Sequence, residues 1–133
     1  GLFVVRQMEF ALFDLLIYKE KTQPVDWQAV LNQVRNEVAV VPTIPENRFA
    51  QSFSHIFAGG YSAGYYSYIW AEVLSADVYA AFVEENNRSK TGQRFWREIL
   101  SQGGARSALD NFRAFRGRDP KPDALLKHLG LVE

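Results

Sequence analysis

Leu2, Val5, Met8, Leu12 and Leu15 recur every three or four residues, and Phe3, Phe10, Phe13 and Ile17 fill the gaps between them. An α-helix repeats every ~3.6 residues, so this pattern predicts a helix over 2–20 that is apolar around most of its girdle. Such a helix is usually buried on several sides inside a larger body. The polar stretch from Lys19 through Glu20, Lys21, Thr22 and Gln23 to Pro24 ends it. Arg6, Glu9 and Asp14 interrupt any signal-peptide core. An apolar, helix-like beginning without an initiator Met is unlike the polar, frayed start of most chains. It leads to the expectation that the sequence is cut from something longer.

The later segments also read as helices. Asp26 is a candidate N-cap for a stripe of Trp27, Val30, Leu31, Val34, Val38 and Val41, closed by Pro42 and Pro45. The run 38–41 could instead form a short strand. Residues 42–60 carry two prolines and Gly59-Gly60 and read as a long, largely irregular connection, a kind of loop that often carries function. A long helix is expected from about Ser62 to Phe82 or Glu85. Shorter helices follow from about Thr91 to Gln102, from the N-cap Ser107 to Gly117, and from near Pro122 to Gly130. The reading is all-α, with residues 1–133 forming a single helical segment.

Composition narrows the function. Fifteen Lys and Arg balance fifteen Asp and Glu, so no charge excess calls for nucleic acid or an anionic membrane. No run reaches the ~18 apolar residues of a membrane span. There is no Cys, which removes disulfides, thiol nucleophiles and thiolate zinc sites, and fits a reducing, cytoplasmic setting. The two histidines, His55 and His128, form no HExxH motif. His128 reads as a solvated group at a helix C-terminus. Arg113, Arg116, Arg118 and Lys121 interleave with Asp110, Asp119 and Asp123, which reads as a solvated, paired surface.

The stretch from Phe53 to Trp70 is different in kind. Tyr61, Tyr65, Tyr66 and Tyr68 fall within eight residues, preceded by His55, Gly59 and Gly60. At 100° per residue, Tyr61, Tyr65 and Tyr68 lie within about 60° of one another on a helix. Tyr66, Ile69, Trp70 and Val73 fall on the other side and read as core. A row of phenols can donate neutral hydrogen bonds to a carbonyl that becomes an oxyanion during acyl transfer. The glycines suit close backbone approach, and His55 could donate, accept or shuttle a proton near neutral pH. Equally, tyrosines at helical spacing serve as half-buried packing groups, Gly-Gly before a helix is often a plain turn, and a loop histidine is often structural.

The run from Phe53 to Asp77 closely resembles the C-terminal part of the thimet-oligopeptidase family of zinc metallopeptidases, nearest to its bacterial oligopeptidase A branch. Arg6-Gln7-Met8-Glu9-Phe10-Ala11-Leu12-Phe13-Asp14 and Phe112-Arg113-Ala114-Phe115-Arg116-Gly117-Arg118-Asp119-Pro120 agree, so the resemblance covers essentially the whole chain. It implies a mainly helical, two-lobed peptidase that cleaves short peptides in a deep channel. One zinc would be held by HExxH and a downstream Glu, with the motif Glu activating a water. By the family pattern, Tyr68 and Tyr61 would bond the scissile carbonyl or the tetrahedral intermediate as catalytic groups. His55, Tyr65, Gly59 and Gly60 would bind substrate. The zinc and its ligands would belong to the full-length enzyme, ahead of Gly1, with none bound by this chain, which alone would be inactive. Its partners would be short peptides and the remainder of the catalytic domain, with no nucleic acid and no membrane. A non-catalytic helical module that binds peptides or a protein, and a purely structural helical domain, are the competing readings.

Overall fold

The computed structural model describes residues 1–19 and 24–132. The chain divides into two compact units, Gly1–Ile69 and Trp70–Glu133. Among the described residues every regular element is helical, so the protein is all-α.

The first unit begins with α1, Leu2–Lys19. The residues expected to end this helix, 20–23, lie outside those described. Phe13 and Ile17 enter the core, while Leu2, Phe3, Met8 and Leu15 remain exposed, as the apolar girdle leads one to expect. Two acidic residues of α1, Glu9 and Asp14, are buried. Glu9 accepts from Arg6 at 2.7 Å and from Arg35 at 2.9 Å. Arg35 also donates to Asn47, whose side-chain oxygen takes the Phe49 amide. One buried carboxylate thus links α1 to Arg35 and, through Asn47, to the chain at Phe49.

Helix α2, Trp27–Val38, is capped by the Asp26 carboxylate, which accepts from the Ala29 amide at 3.0 Å. The helix stops three residues short of Val41. Ala39 is extended, and Val40 and Val41 are exposed, so neither a longer helix nor a strand forms there. The connection over 42–60 is also more ordered than expected. It holds two single-turn helices, α3 (Phe49–Ser52) and α4 (Ser54–Phe57), which plant Ala50, Phe53 and Ile56 in the core. Phe10 stacks on Phe49 at 4.5 Å, and Phe53 meets Tyr65 edge-on at 5.0 Å.

Helix α5, Ser67–Glu84, starts five residues later than the pattern from Ser62 suggests, and the boundary between the units falls within it. Tyr66 and Trp70, expected in the core, are both exposed, while Val73 is buried. For Tyr66 the reason is that residues 62–66 form turns, so the helical wheel of α5 does not reach it.

In the second unit, Asn87 caps α6, Arg88–Phe95, which begins three residues before Thr91 and runs into a π-helical turn, Trp96–Leu100. Ser107 caps α7, Ala108–Arg116, and Gly117 ends it in the left-handed conformation at φ +73°. Helix α8 spans Asp123–His128, with Gly130 also left-handed. Phe82, Phe95 and Phe115 pack together. The basic cluster departs from the expected solvated surface. Arg113 does pair with Asp119 at the surface, but Arg116 and Arg118 converge on Asp77, which is 1% exposed. Arg116 Nε lies 3.0 Å from that carboxylate, two Arg118 nitrogens lie at 2.7 and 2.6 Å, and the Lys121 amide donates at 2.9 Å.

Candidate active site

His55, Tyr61, Tyr65 and Tyr68 come together in the first unit. The ring of His55 lies 6.1 Å from Tyr61, 5.7 Å from Tyr65 and 6.1 Å from Tyr68, centroid to centroid. Tyr61 stacks on Tyr68 at 5.0 Å with 27° between their planes, and Tyr65 lies 5.0 Å from Tyr68. The sequence reading brought these tyrosines together by helical spacing, yet only Tyr68 is in a helix. In an unbroken helix, residues seven apart are displaced by ~10 Å along the axis. The turn over 62–66 folds that distance away.

The backbone shows how. The Tyr61 amide donates to His55 O at 3.0 Å, and the Gly59 amide to Ser54 O at 2.8 Å. Both tie the Gly-Gly segment back over α4. A Cβ on Gly59 would meet His55 Cα and O at 2.9 Å, so glycine is required there by close approach. Gly60 adopts φ +79°. The hydroxyl of Ser62 and that of Tyr18 both donate to Ile56 O at 2.7 Å. Ala63 is left-handed at φ +52°, unusual for a residue with a Cβ. Its amide and that of Tyr65 donate to the buried carboxylate of Asp14 at 2.8 and 2.9 Å.

The phenols divide into two kinds. Tyr61 and Tyr68 are 37% and 38% exposed, which leaves them reachable by a ligand. Tyr65 is 8% exposed, and its hydroxyl donates to Gln7 at 3.2 Å. Hydrogen bonding with Tyr61, together with partial burial and the proximity of the Tyr61 and Tyr65 phenols, holds the Tyr68 phenol above its usual range. Burial does the same for Tyr65. Both therefore remain neutral donors at pH 7 and above. His55, Gly59 and Gly60 are exposed beside this pair. The sequence pattern does not single out Asp14, which is one of two acidic side chains, with Glu9, in the largely apolar girdle of α1.

Among the described residues, no group of three or more His, Cys, Asp or Glu side chains is placed to hold a metal ion. A catalytic zinc takes three protein ligands, so the described donor set does not fit one. No described helix is long and apolar enough to cross a membrane. A cleft of about 670 Å³ belongs to the second unit and is lined mainly by apolar groups such as Leu74, Val78, Phe95 and Phe112. No member of the expected site lines it.

Phenols, an imidazole and a glycine turn thus gather at one exposed point of the first unit. Comparison with known proteins identifies the class. The model of Peptidase family M3 matches residues 1–131, and the chain belongs to this family. The chain is similar to oligopeptidase A of Escherichia coli (strain K12), 49% identical over an alignment of 135 positions that covers 98% of this chain and 20% of that protein. Oligopeptidase A of Salmonella typhimurium is 48% identical over the same shares. A probable cytosolic oligopeptidase A of Arabidopsis thaliana is 46% identical over 99% of this chain and 20% of that protein. The chain thus spans about a fifth of the length of these curated relatives.

Proposed function

We propose that this chain is the C-terminal portion of a cytoplasmic zinc metalloendopeptidase of the oligopeptidase A kind, and that its two units are parts of one catalytic domain. It supplies the wall of the cleft that holds the substrate and stabilises the transition state. The observation that carries this reading is the exposed, stacked Tyr61–Tyr68 pair beside His55, in a chain that belongs to Peptidase family M3.

Tyr68 and Tyr61 donate hydrogen bonds to the scissile carbonyl oxygen. They act most strongly as that oxygen gains negative charge, when fixed neutral donors lower the barrier. Because both are phenols, they lose no proton in doing so. His55 and the backbone of Gly59 and Gly60 bind the peptide main chain, and Tyr65 supports the substrate side through its ring while its hydroxyl rests on Gln7. The zinc, with its ligands and general base, is held elsewhere in the protein. The substrates are short peptides, and this portion alone neither binds zinc tightly nor cleaves.

The test is cleavage of a short internally quenched peptide by the complete protein and by its Tyr61→Phe/Tyr68→Phe double variant. The wild type cleaves, and the folded double variant loses at least about 100-fold in kcat. A complete protein that fails to cleave, or a double variant at full rate, refutes the proposal.

A further inference from the structure

We infer that Asp14 is a positioning residue for the candidate site: its carboxylate holds the turn that sets Tyr61 against Tyr68. The inference rests on the oxyanion reading of those two phenols.

Asp14 is fully buried in the middle of α1. Each of its oxygens takes one backbone amide from a segment some fifty residues away, Ala63 on Oδ1 and Tyr65 on Oδ2. Around those two amides the turn closes on itself, with Gly64 N donating to Tyr61 O, Ser67 N to Gly64 O and Tyr68 N to Tyr65 O. Among the described residues, the amides of Ala63 and Tyr65 have only Asp14 as acceptor. The Tyr65 amide is buried, and a buried amide without an acceptor is costly, so removing the carboxylate favours a rearrangement that re-pairs it. Helix does so: begun at Ser62, it would give the Tyr65 amide to Tyr61 O and leave the part-buried Ala63 amide among the free N–H groups of its first turn. The pattern from Ser62 onward already suits helix, and Ala63 is held left-handed against its ordinary preference. Asp14 is thus what keeps the turn from continuing α5 backwards. That matters because a helix would draw Tyr61 and Tyr68 about 10 Å apart along its axis, whereas their rings now lie 5.0 Å apart.

The rest of that face of α1 agrees. Gln7, Phe10, Asp14 and Tyr18 share one side of the helix. Gln7 accepts the Tyr65 hydroxyl, Phe10 meets the Tyr65 ring edge-on at 5.8 Å, and Tyr18 donates to Ile56 O. Packing alone would call for apolar groups here. A face that instead offers an acceptor to each end of Tyr65 and to the Ala63 amide is built to fix a turn.

The experiment is a mutant cycle in the complete peptidase, with Asp14→Asn and Asp14→Ala, each alone and combined with Tyr68→Phe. Asp14→Asn keeps the shape but turns one acceptor into a donor facing an amide. It lowers kcat by about ten-fold or more, because misplacement by ~1 Å costs up to ~100-fold, and it leaves KM little changed. In the Tyr68→Phe background the same change costs only a few-fold, since the group it positions has lost its hydroxyl. Equal fold-losses in both backgrounds mean general destabilisation and overturn the inference, as does an Asp14→Asn enzyme at wild-type rate. If Tyr68→Phe alone leaves kcat intact, the oxyanion reading itself has failed and this inference falls with it. If Tyr68→Phe is slow and the Asp14 loss is additive, only this inference fails. Asp14→Asn carries the cycle where Asp14→Ala does not fold. Amide exchange gives a second readout, with the Ala63 and Tyr65 amides losing protection in Asp14→Asn, and unchanged protection at both overturns the inference.

Discussion

Gly59 offers the sharpest test of how the Gly-Gly segment is built. An alanine Cβ there would stand 2.9 Å from His55 Cα and His55 O and 3.2 Å from Ser54 O. All three are backbone atoms, which no side-chain rotation can move aside. To reach 3.4 Å, the start of ordinary contact, the strand of chain over α4 must open by about 0.5 Å. That movement pulls on the bonds from Gly59 N to Ser54 O and from Tyr61 N to His55 O. Losing one backbone hydrogen bond costs about 1 kcal/mol, and the residual backbone strain adds roughly 1–2 kcal/mol. Gly59→Ala is therefore expected to destabilise the protein by about 2–3 kcal/mol. Urea unfolding followed by circular dichroism reads this directly. Gly104→Ala is the control, because nothing lies within 4 Å of a Cβ there and its φ is not in the left-handed region. It should stay within about 0.5 kcal/mol of wild type. A Gly59→Ala protein as stable as the Gly104→Ala one would show that the close approach is not a feature of the molecule in solution.

Other outcomes follow from the same structure. Burial pushes the Asp77 carboxyl up, but the hydrogen bond from Arg118, the Lys121 amide and the charges of Arg118 and Arg116 outweigh it and hold the group below its usual range. The hydrogen bond from Arg116 does the same for Glu84. A carboxyl depressed on folding contributes fully above its unfolded value of about 4, and that contribution is lost as pH falls through the lower folded value. The second unit should therefore lose stability below about pH 4, and Asp77→Asn should flatten that dependence in acid titrations. Asp77→Ala removes the carboxylate partner of Arg118 and one of the two carboxylates on Arg116, leaving Glu84, and should cost about 2–3 kcal/mol at pH 7, whereas Asp119→Ala, at the surface, should barely change stability in the same unfolding assay. The isolated chain exposes Leu2, Phe3, Met8 and Leu15 along α1 and should self-associate; a clean monomer in sedimentation at high concentration would count against that.

What the sequence revealed about the fold was what local chemistry decides. Asp26 and Ser107 cap their helices, and Gly117 and Gly130 end theirs, because a short polar side chain or a left-handed glycine acts on its own turn and needs no distant partner. The start of α5 was not legible. Residues 62–66 form turns, and the amides of Ala63 and Tyr65 go to Asp14, some fifty residues away, a partner that no local pattern reveals. The turn also takes Tyr66 from the expected core to the surface. Asp77 shows the limit again: charge alternation along Arg113–Asp119 looked like solvated pairing, and only the fold brings Arg116 and Arg118 onto a buried carboxylate. The grouping of Tyr61, Tyr65 and Tyr68 did emerge from the sequence, although helical spacing was the wrong route to it. A turn, not a helix face, collects them.

The account stands on the Tyr68 hydroxyl, and Tyr68→Phe in the complete peptidase tests it most directly. The change keeps the ring, its stack on Tyr61 and its place beside His55, and removes one donor. A donor used only in the transition state shows itself in kcat and not in KM. The expected loss is on the order of 100-fold or more in kcat, about 3 kcal/mol, with KM within a few-fold. Tyr66→Phe, an exposed phenol with no ring partner in the cluster, should turn over at close to the wild-type rate. Steady-state kinetics on a quenched short peptide, corrected for folded fraction, would contradict the account if Tyr68→Phe and Tyr66→Phe showed equal and small losses.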